Sequence, residues 1–360
     1  MSLDTTPTLT ATEEARRQLE ICNACRYCEG YCAVFPATFA ERAFSDGDIT
    51  QLANLCHNCR GCYYACQYTD PHEFALNLPA ALAEVRVESW DRFAWPGGLA
   101  RLFQSQGVAM AGALILGIAA LFWAMTVLTP DSGTGFYAHL SHTVMVAIFA
   151  PAFVFPLLVV AMGLRAYWRE TEGARVTLAH LAQALQDGAS LRNLSGGAAH
   201  GCNYEKGDRY SLARKHAHQA VFWGFLLCFA ATSAGTVLHY VFDRPAPYEL
   251  LSLPKLLGVP GGILLTIGAL GLAGLKLKAD RALGAASVWG GEMAFVLLLA
   301  VTAASGLALY AATGTALVAP LLALHLGSVL TLFLTTPYSK MVHGAYRLAA
   351  LVRDAQRKGA

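Results

Sequence analysis

Eight of the chain's ten cysteines lie between positions 22 and 66, as Cys22, Cys25, Cys28 and Cys32 followed by Cys56, Cys59, Cys62 and Cys66. Both runs read C-x2-C-x2-C-x3-C. Thiolates at that spacing hold 4Fe-4S clusters, the first three of a run on one cluster and the fourth on the other. The pattern predicts two clusters, one on Cys22, Cys25, Cys28 and Cys66 and its twin on Cys56, Cys59, Cys62 and Cys32. Zinc favours paired C-x2-C units with a loop between them, and three evenly spaced cysteines exceed that need. A disulfide framework suits small secreted domains, whereas residues 1–20 are polar and lack the apolar core of a signal sequence. Neither Cys32 nor Cys66 is followed directly by proline, the nearest being Pro36 and Pro71. The turn after each fourth ligand therefore departs from the usual pattern.

Histidines form the second constellation. His218 and His239 are 21 residues apart and His325 and His343 are 18 apart, which places each pair near one face of a helix, ~31 Å and ~27 Å apart along its axis. In antiparallel membrane helices His218 comes level with His343, and His239 with His325. Two bis-histidine pairs at two depths suit two stacked b haems, each imidazole giving an axial nitrogen, and ionisable residues within spans are costly and functional. Haem b, one or two, is the expected second cofactor. His142 could replace His239, and spacing does not separate His216 from His218. His57, His72, His180 and His200 fall outside the apolar stretches and read as surface or cluster-domain residues.

The elements that must position these groups follow from composition. With 55% hydrophobic and 14% charged residues, the chain is too apolar for an ordinary soluble protein. Apolar stretches at about 108–129, 139–168, 217–242, 258–277, 289–312 and 319–348 read as six membrane spans. The expected fold is mainly α: a bacterial-ferredoxin-like, α-helical two-cluster domain over 1–100, a six-helix transmembrane cytochrome b bundle over 101–348, and a cytoplasmic tail over 349–360. Residues 9–21 read as a helix capped by Thr10 or Thr12, with Glu13 and Glu14 in its first turn. A helical spacer broken at Ser45-Asp46-Gly47 lies between the cysteine runs. Tyr27, Tyr31, Tyr63 and Tyr64 sit among the ligands as shielding residues. A helix before Pro96 brings Trp90, Phe93 and Trp95 to the lipid headgroup region.

Arg and Lys gather between spans two and three (Arg165, Arg169, Arg175, Arg192, Lys206, Arg209, Arg214, Lys215), between four and five (Lys276, Lys278, Arg281) and near the end (Lys340, Arg347, Arg353, Arg357, Lys358). Residues 130–138 and 313–318 carry none, and the loop after span three has Arg244 and Lys255. The positive-inside rule then puts the cluster domain and both termini in the cytoplasm, on a bacterial inner membrane. These basic residues lie at helix ends rather than in one patch, so nothing points to nucleic acid.

Two stretches carry a family resemblance. TPYSKMVHGAY at 336–346, with His325 upstream, resembles the last haem-binding helix of the nitrate-reductase gamma-subunit cytochromes. GCNYEKGDRYSLARKHAHQAVFWGFLLCFAATSAGTVLHYVF at 201–242, together with the doubled cysteine runs, resembles the tricarballylate-utilisation protein B (TcuB/CitB) family, also fused into CobZ-type proteins. This similarity covers nearly the whole chain. It implies a membrane iron-sulfur and b-haem protein that reoxidises a soluble FAD-dependent, TcuA-like flavoprotein, which dehydrogenates tricarballylate to cis-aconitate. The family's His-His pair at the start of span three reads His218-Gln219 here, which favours His218 as ligand.

The function expected is an electron conduit, an oxidoreductase subunit that takes electrons from the flavin and delivers them to a membrane quinone. No G-x-G-x-x-G after a strand supports a flavin or nicotinamide site of its own. The flavoprotein's expected docking face comprises His57, Asn58, Arg60, Tyr63, Tyr64, Gln67, Tyr68 and His72. The alternative is a tricarboxylate transporter with a redox-regulatory iron-sulfur head, for which Gly258, Pro260, Gly261 and Gly262 would break span four.

Overall fold

The first helix begins at a reciprocal cap: the Thr10 hydroxyl accepts from the Glu13 N–H at 3.2 Å, and the Glu13 carboxylate accepts from the Thr10 N–H at 2.8 Å. From there α1 runs Ala11–Cys25. The structure, a computed structural model, describes residues 9–128, 135–195, 200–205 and 207–359. Between the cysteine runs lie α2 (Val34–Phe39) and α3 (Asp46–Leu55). Ser45 and Asp48 repeat the reciprocal cap, so the break in the spacer is the start of α3. The one-turn α4 (Gly61–Tyr64) lies inside the second run, and α5 (Leu78–Phe93) follows.

Leu19, Ile49, Leu52 and Leu82 bring α1, α3 and α5 into one apolar core. Trp90 and Phe93 belong to it, and the Trp90 indole N–H donates to Asn54 Oδ1 at 2.9 Å. The headgroup expectation is corrected for these two residues. An amphipathic helix shows the same stripe whether it faces lipid or a core; only Trp95 of the three is exposed.

The bundle comprises α6 (Leu99–Leu128), α7 (His142–Glu170), α9 (Ala213–Tyr240), α10 (Leu253–Lys278), α11 (Trp289–Ala311) and α12 (Val318–Thr335), with α8 (Leu178–Ser190) between α7 and α9. Among the described residues six helices are long and apolar enough to cross a membrane. The first starts earlier than the hydropathy predicts, with a kink at Gln106 (φ −112°, ψ 16°); its expected end at Thr129 and residues 130–134 of the following loop lie outside the described residues. Gly258, Pro260, Gly261 and Gly262 lie inside an uninterrupted α10, so the broken helix of the transporter alternative is absent there. Among the described residues there is no strand, only an isolated bridge between Cys202 and Ser211.

α9 packs along α10 through glycines. A Cβ on Gly224 would lie 2.5 Å from Leu265 N, and one on Gly268 would lie 2.7 Å from Val221 N. Small residues allow such backbone approach between membrane helices. Gly224→Val is expected to cost about 1–3 kcal/mol by overpacking, read as a lower melting temperature of the detergent-solubilised protein. Unchanged melting would contradict this close packing.

The expected sixth span, 319–348, is two helices. α12 ends at Thr335, 3-10 turns occupy Thr336–Tyr338 and Lys340–Val342, and α13 runs His343–Arg357. Pro337 has no N–H to give and its ring clashes with the carbonyl four residues back, and Ser339 is extended (φ −98°, ψ 176°). The 18-residue spacing of His325 and His343 therefore does not put them on one helical face.

α13 packs on α3, α7 and α8. Its Tyr346, Ala350 and Leu351 enter the cluster-domain core. Gln51 donates to Ala350 O at 2.9 Å and accepts from the Tyr167 hydroxyl at 2.6 Å, while Arg357 pairs with Glu41 at 2.7 Å and Asp48 at 2.5 Å. Most of the expected tail is thus a docked helix.

Candidate functional site

The last turn of α1 presents Cys22 and Cys25, and Arg26, in the left-handed region at φ 57°, ends the helix and turns the chain toward Cys28. Within the second run α4 carries Cys62 and leads to Cys66. A cavity of about 280 Å³ is lined by Cys22, Cys25, Cys28 and Cys66, with Tyr27, Phe35, Tyr68 and Leu76. A tighter hollow of about 20 Å³ is lined by Cys32, Cys56, Cys59 and Cys62, with Tyr31, Phe35, His57 and Leu82. Each run gives three thiols to one hollow and its fourth to the other. Asn58 and Arg60, at φ 51° and 68°, turn the chain sharply between Cys56, Cys59 and Cys62. The first hollow opens to solvent through exposed Cys25 and Tyr27; the second is enclosed around buried Cys59.

Burial, with Cys66, Cys28 and Cys25 close by, pushes the Cys22 thiol up to about 12. Burial likewise raises Cys28 to about 12 and Cys59 to about 11, and holds Cys32 and Cys62 well above their ordinary value. Crowded, desolvated thiols keep their protons, so metal must displace them on binding. Backbone N–H groups of Asn58 and Tyr68 donate to Cys56 Sγ at 3.3 Å and Cys66 Sγ at 3.4 Å, which favours charged sulfur. Among the described residues no three His, Cys, Asp or Glu side chains converge on a point as around a single ion. Two hollows of four sulfurs each suit a multi-iron group, which these eight cysteines could hold.

His343, opening α13, has its Nδ1 2.5 Å from Lys340 O. That contact puts the proton on Nδ1 and leaves Nε2 as a ligand. Lys340 is itself held by Glu292 of α11 at 2.7 Å, and Glu292 also takes the ammonium of Lys276. Opposite His343, on α9, is His218, with ring centroids 5.9 Å apart and planes at 82°. Two imidazoles on opposite sides of one metal, at ~2 Å per bond, have centroids ~6 Å apart. The His218 Nδ1 is buried without a partner. Burial, then the neighbouring His218, Arg347 and Lys340, keep His343 well below its ordinary value, hence neutral as ligation requires. His218 and His343 are thus spaced so that they could hold one iron-centred cofactor between them.

At the other end of α9, His239 meets His142, and their rings stack at 4.3 Å and 15°. A porphyrin cannot pass between rings in face contact, so this pair does not bracket a haem as it stands. His325 lies against α11, its Nδ1 3.1 Å from Ser305 Oγ. Gly306 makes room for it, since a Cβ there would come within 2.9 Å of the ring. His216 is exposed on α9, which separates it from His218. His57 is buried at the enclosed hollow, while His72 packs on Tyr68 and Phe74 near the open one. Within the expected docking face His57, Asn58 and Arg60 are buried, a correction that leaves the second-run residues Tyr63, Tyr64, Gln67, Tyr68 and His72 as its accessible part.

Arginines join the enclosed hollow to the imidazole pair. Arg347, one turn after His343, donates to Cys56 O at 2.8 Å, and Arg86 donates to the same oxygen at 2.7 Å. Arg214, one turn before His218, donates to Asn58 O at 2.7 Å. Arg60 reaches Asn58 Oδ1 at 3.0 Å and Tyr204 O at 3.2 Å. Burial and the nearby Arg86 push the Arg347 guanidinium down to about 9, still cationic at neutral pH. Sequence reasoning missed these contacts, although a signal exists: Arg86 falls on the Leu82–Trp90 stripe and Arg347 on the His343–Leu351 stripe, each an arginine on an apolar helical face.

The family model for Citrate utilization protein B matches residues 97–360, and that for the Citrate utilization protein B Fer4-like domain matches residues 15–91. An Escherichia coli protein named Citrate utilization protein B is 41% identical over 350 residues, covering 96% of this chain and 92% of that protein. No solved structure matches significantly.

Proposed function

Since the chain belongs to the Citrate utilization protein B family, we propose that it carries electrons from a soluble FAD-dependent, TcuA-like dehydrogenase to the membrane quinone pool, by way of two 4Fe-4S clusters and haem b. The word citrate in its relatives' names supports a citrate-like tricarboxylate as the dehydrogenase's substrate, with tricarballylate the candidate that the resemblance supplies. One observation carries the reading: the enclosed four-thiol hollow and the His218–His343 pair are one side chain apart, linked by Arg347 from the helix of His343 to Cys56 O. A flavin releases two electrons, and iron-sulfur clusters and haem, when bound, accept them one at a time.

The protein's own residues set the route. Cys22, Cys25, Cys28 and Cys66 form the accessible hollow, beside exposed Tyr27 and Gln67, and a soluble donor docks there. Phe35, common to both hollows, excludes water between them. Cys32, Cys56, Cys59 and Cys62 lie on the side linked through Arg347 to His343, where His218 and His343 would hold the haem. The basic residues at this end of the bundle support a cytoplasmic location for it, and a lipid-soluble quinone would approach the His218–His343 pair from within the bilayer. Mixing the purified holoprotein with reduced flavoprotein and a short-chain quinone should give flavin reoxidation that requires both the protein and the quinone. Equal reoxidation when this chain is omitted refutes the proposal.

A further inference from the structure

We infer that Arg60, Arg86, Arg214 and Arg347 are the counter-charge of the enclosed cluster site and make it the higher-potential of the two, so that electrons entering at the exposed hollow run inward toward His343. The inference rests on the electron-transfer reading above and adds its direction.

The four guanidiniums converge on the segment from Cys56 to Arg60, and every hydrogen-bond acceptor they find is neutral: Cys56 O, Ala53 O, Asn58 O, Asn58 Oδ1 and Tyr204 O. Arg60 and Arg214 also face the Tyr204 ring, at 4.6 and 4.0 Å from its centroid. Among the described residues none of the four is paired with a carboxylate, whereas Arg16, Arg17, Arg92, Arg101, Arg192 and Arg357 all are. Arg60 and Arg86 are only 4% and 6% exposed, and the Arg347 Nε is buried without a partner. Unpaired buried cations are strongly unfavourable. Beside them, together with Asp280 near Arg60, stand the sulfurs of Cys32, Cys56, Cys59 and Cys62, which would carry net negative charge once they ligate a cluster.

Each electron added to such a cluster makes it more negative, so surrounding positive charge and hydrogen bonds favour the reduced form. Burial alone acts the other way, because it disfavours the extra charge. The arginines share that low-dielectric shell, however, where a charge acts about fourfold more strongly than in water. Four buried or half-buried cations, with the carboxylate of Asp280 felt at Arg60, decide the sign. At the open hollow the balance differs: Arg17 is neutralised by Glu14, and Arg26 is exposed, donating to Asn23 O with its guanidinium over the Phe39 ring. An exposed charge is screened.

An EPR-monitored redox titration of the holoprotein tests this. Two cluster signals should titrate at separate potentials, and Cys25→Ser, which removes a thiol from the open hollow, should keep the higher-potential one. Arg86→Gln and Arg347→Gln should lower that potential alone with iron and sulfide content intact, and Arg347→Lys should restore it. The inference is overturned if Cys25→Ser retains the lower-potential signal. It is equally overturned if the glutamine variants keep both clusters with unchanged potentials, or shift both potentials equally. Should the glutamine variants lose a cluster, the Cys25→Ser result still decides. Equal potentials in the unaltered protein defeat only this inference; a preparation with neither cluster signals nor a haem band defeats the electron-transfer reading itself.

Discussion

Cys32→Ser is expected to fail in the same way as Cys62→Ser and differently from Cys28→Ser, although Cys32 and Cys28 belong to the same run. Cys32 lines the enclosed hollow with Cys56, Cys59 and Cys62, and Cys28 lines the open one with Cys22, Cys25 and Cys66. A cluster that loses a thiolate is destabilised as a unit, so each variant should fall from ~8 to ~4 non-haem iron atoms per chain. Both kinds of loss interrupt the route, and flavin-to-quinone transfer should be abolished in all three variants. Their EPR spectra should separate them, because Cys32→Ser and Cys62→Ser lose one signal and Cys28→Ser the other. If Cys32→Ser loses the signal that Cys28→Ser loses, each run serves its own cluster and the crossed arrangement is wrong.

The second large effect is expected at the imidazole pair. His218→Ala and His343→Ala should each remove the same b-haem absorption, since either change leaves one axial nitrogen facing an empty position. His343 is oriented through Lys340 O and the Glu292 ion pairs, whereas His218 stands on α9, so two unrelated elements should yield one spectral phenotype. Acid-labile sulfide should stay at the unaltered value in both and iron should fall only by the haem's atom, because no cysteine is touched. His142→Ala, at the other end of α9, should keep this haem. Full haem absorbance in either His218→Ala or His343→Ala, measured as the pyridine haemochrome, would reject the pairing.

The cysteine pattern was legible because its geometry is local: three thiols within seven residues must share a neighbourhood, and the long-range part follows from the repeat itself. The spans were legible because length and hydropathy suffice to define them. Helix adjacency was less accessible. Spacing sets the phase of His239 on its helix, but which ring it meets depends on which helices are neighbours. α9 packs along α10 rather than α12, and His239 stacks on His142. Pro337 hid a second feature, since hydropathy does not separate a tolerated kink in a span from the helix break that takes His343 off the axis of α12. The arginines were hidden by a legitimate signal, because Arg214 and Arg347 count toward orientation in the charge rule and also hydrogen-bond the backbone around Cys56.

The docking of α13 sets an order of manufacture. Val342, Tyr346, Ala350, Leu351 and Val352 close the core that α1, α3 and α5 begin, yet roughly 250 residues separate α5 from α13 along the chain. At about 5–20 residues per second, the ribosome needs ~12–50 s to cover that distance. Throughout that interval the first-made domain lacks one wall, and the Cys56 carbonyl lacks the guanidinium of Arg347. The nascent domain must stay open while every membrane helix is synthesised. The wall that α13 supplies therefore closes late in the life of each molecule, only after that helix has left the ribosome and folded back onto α3.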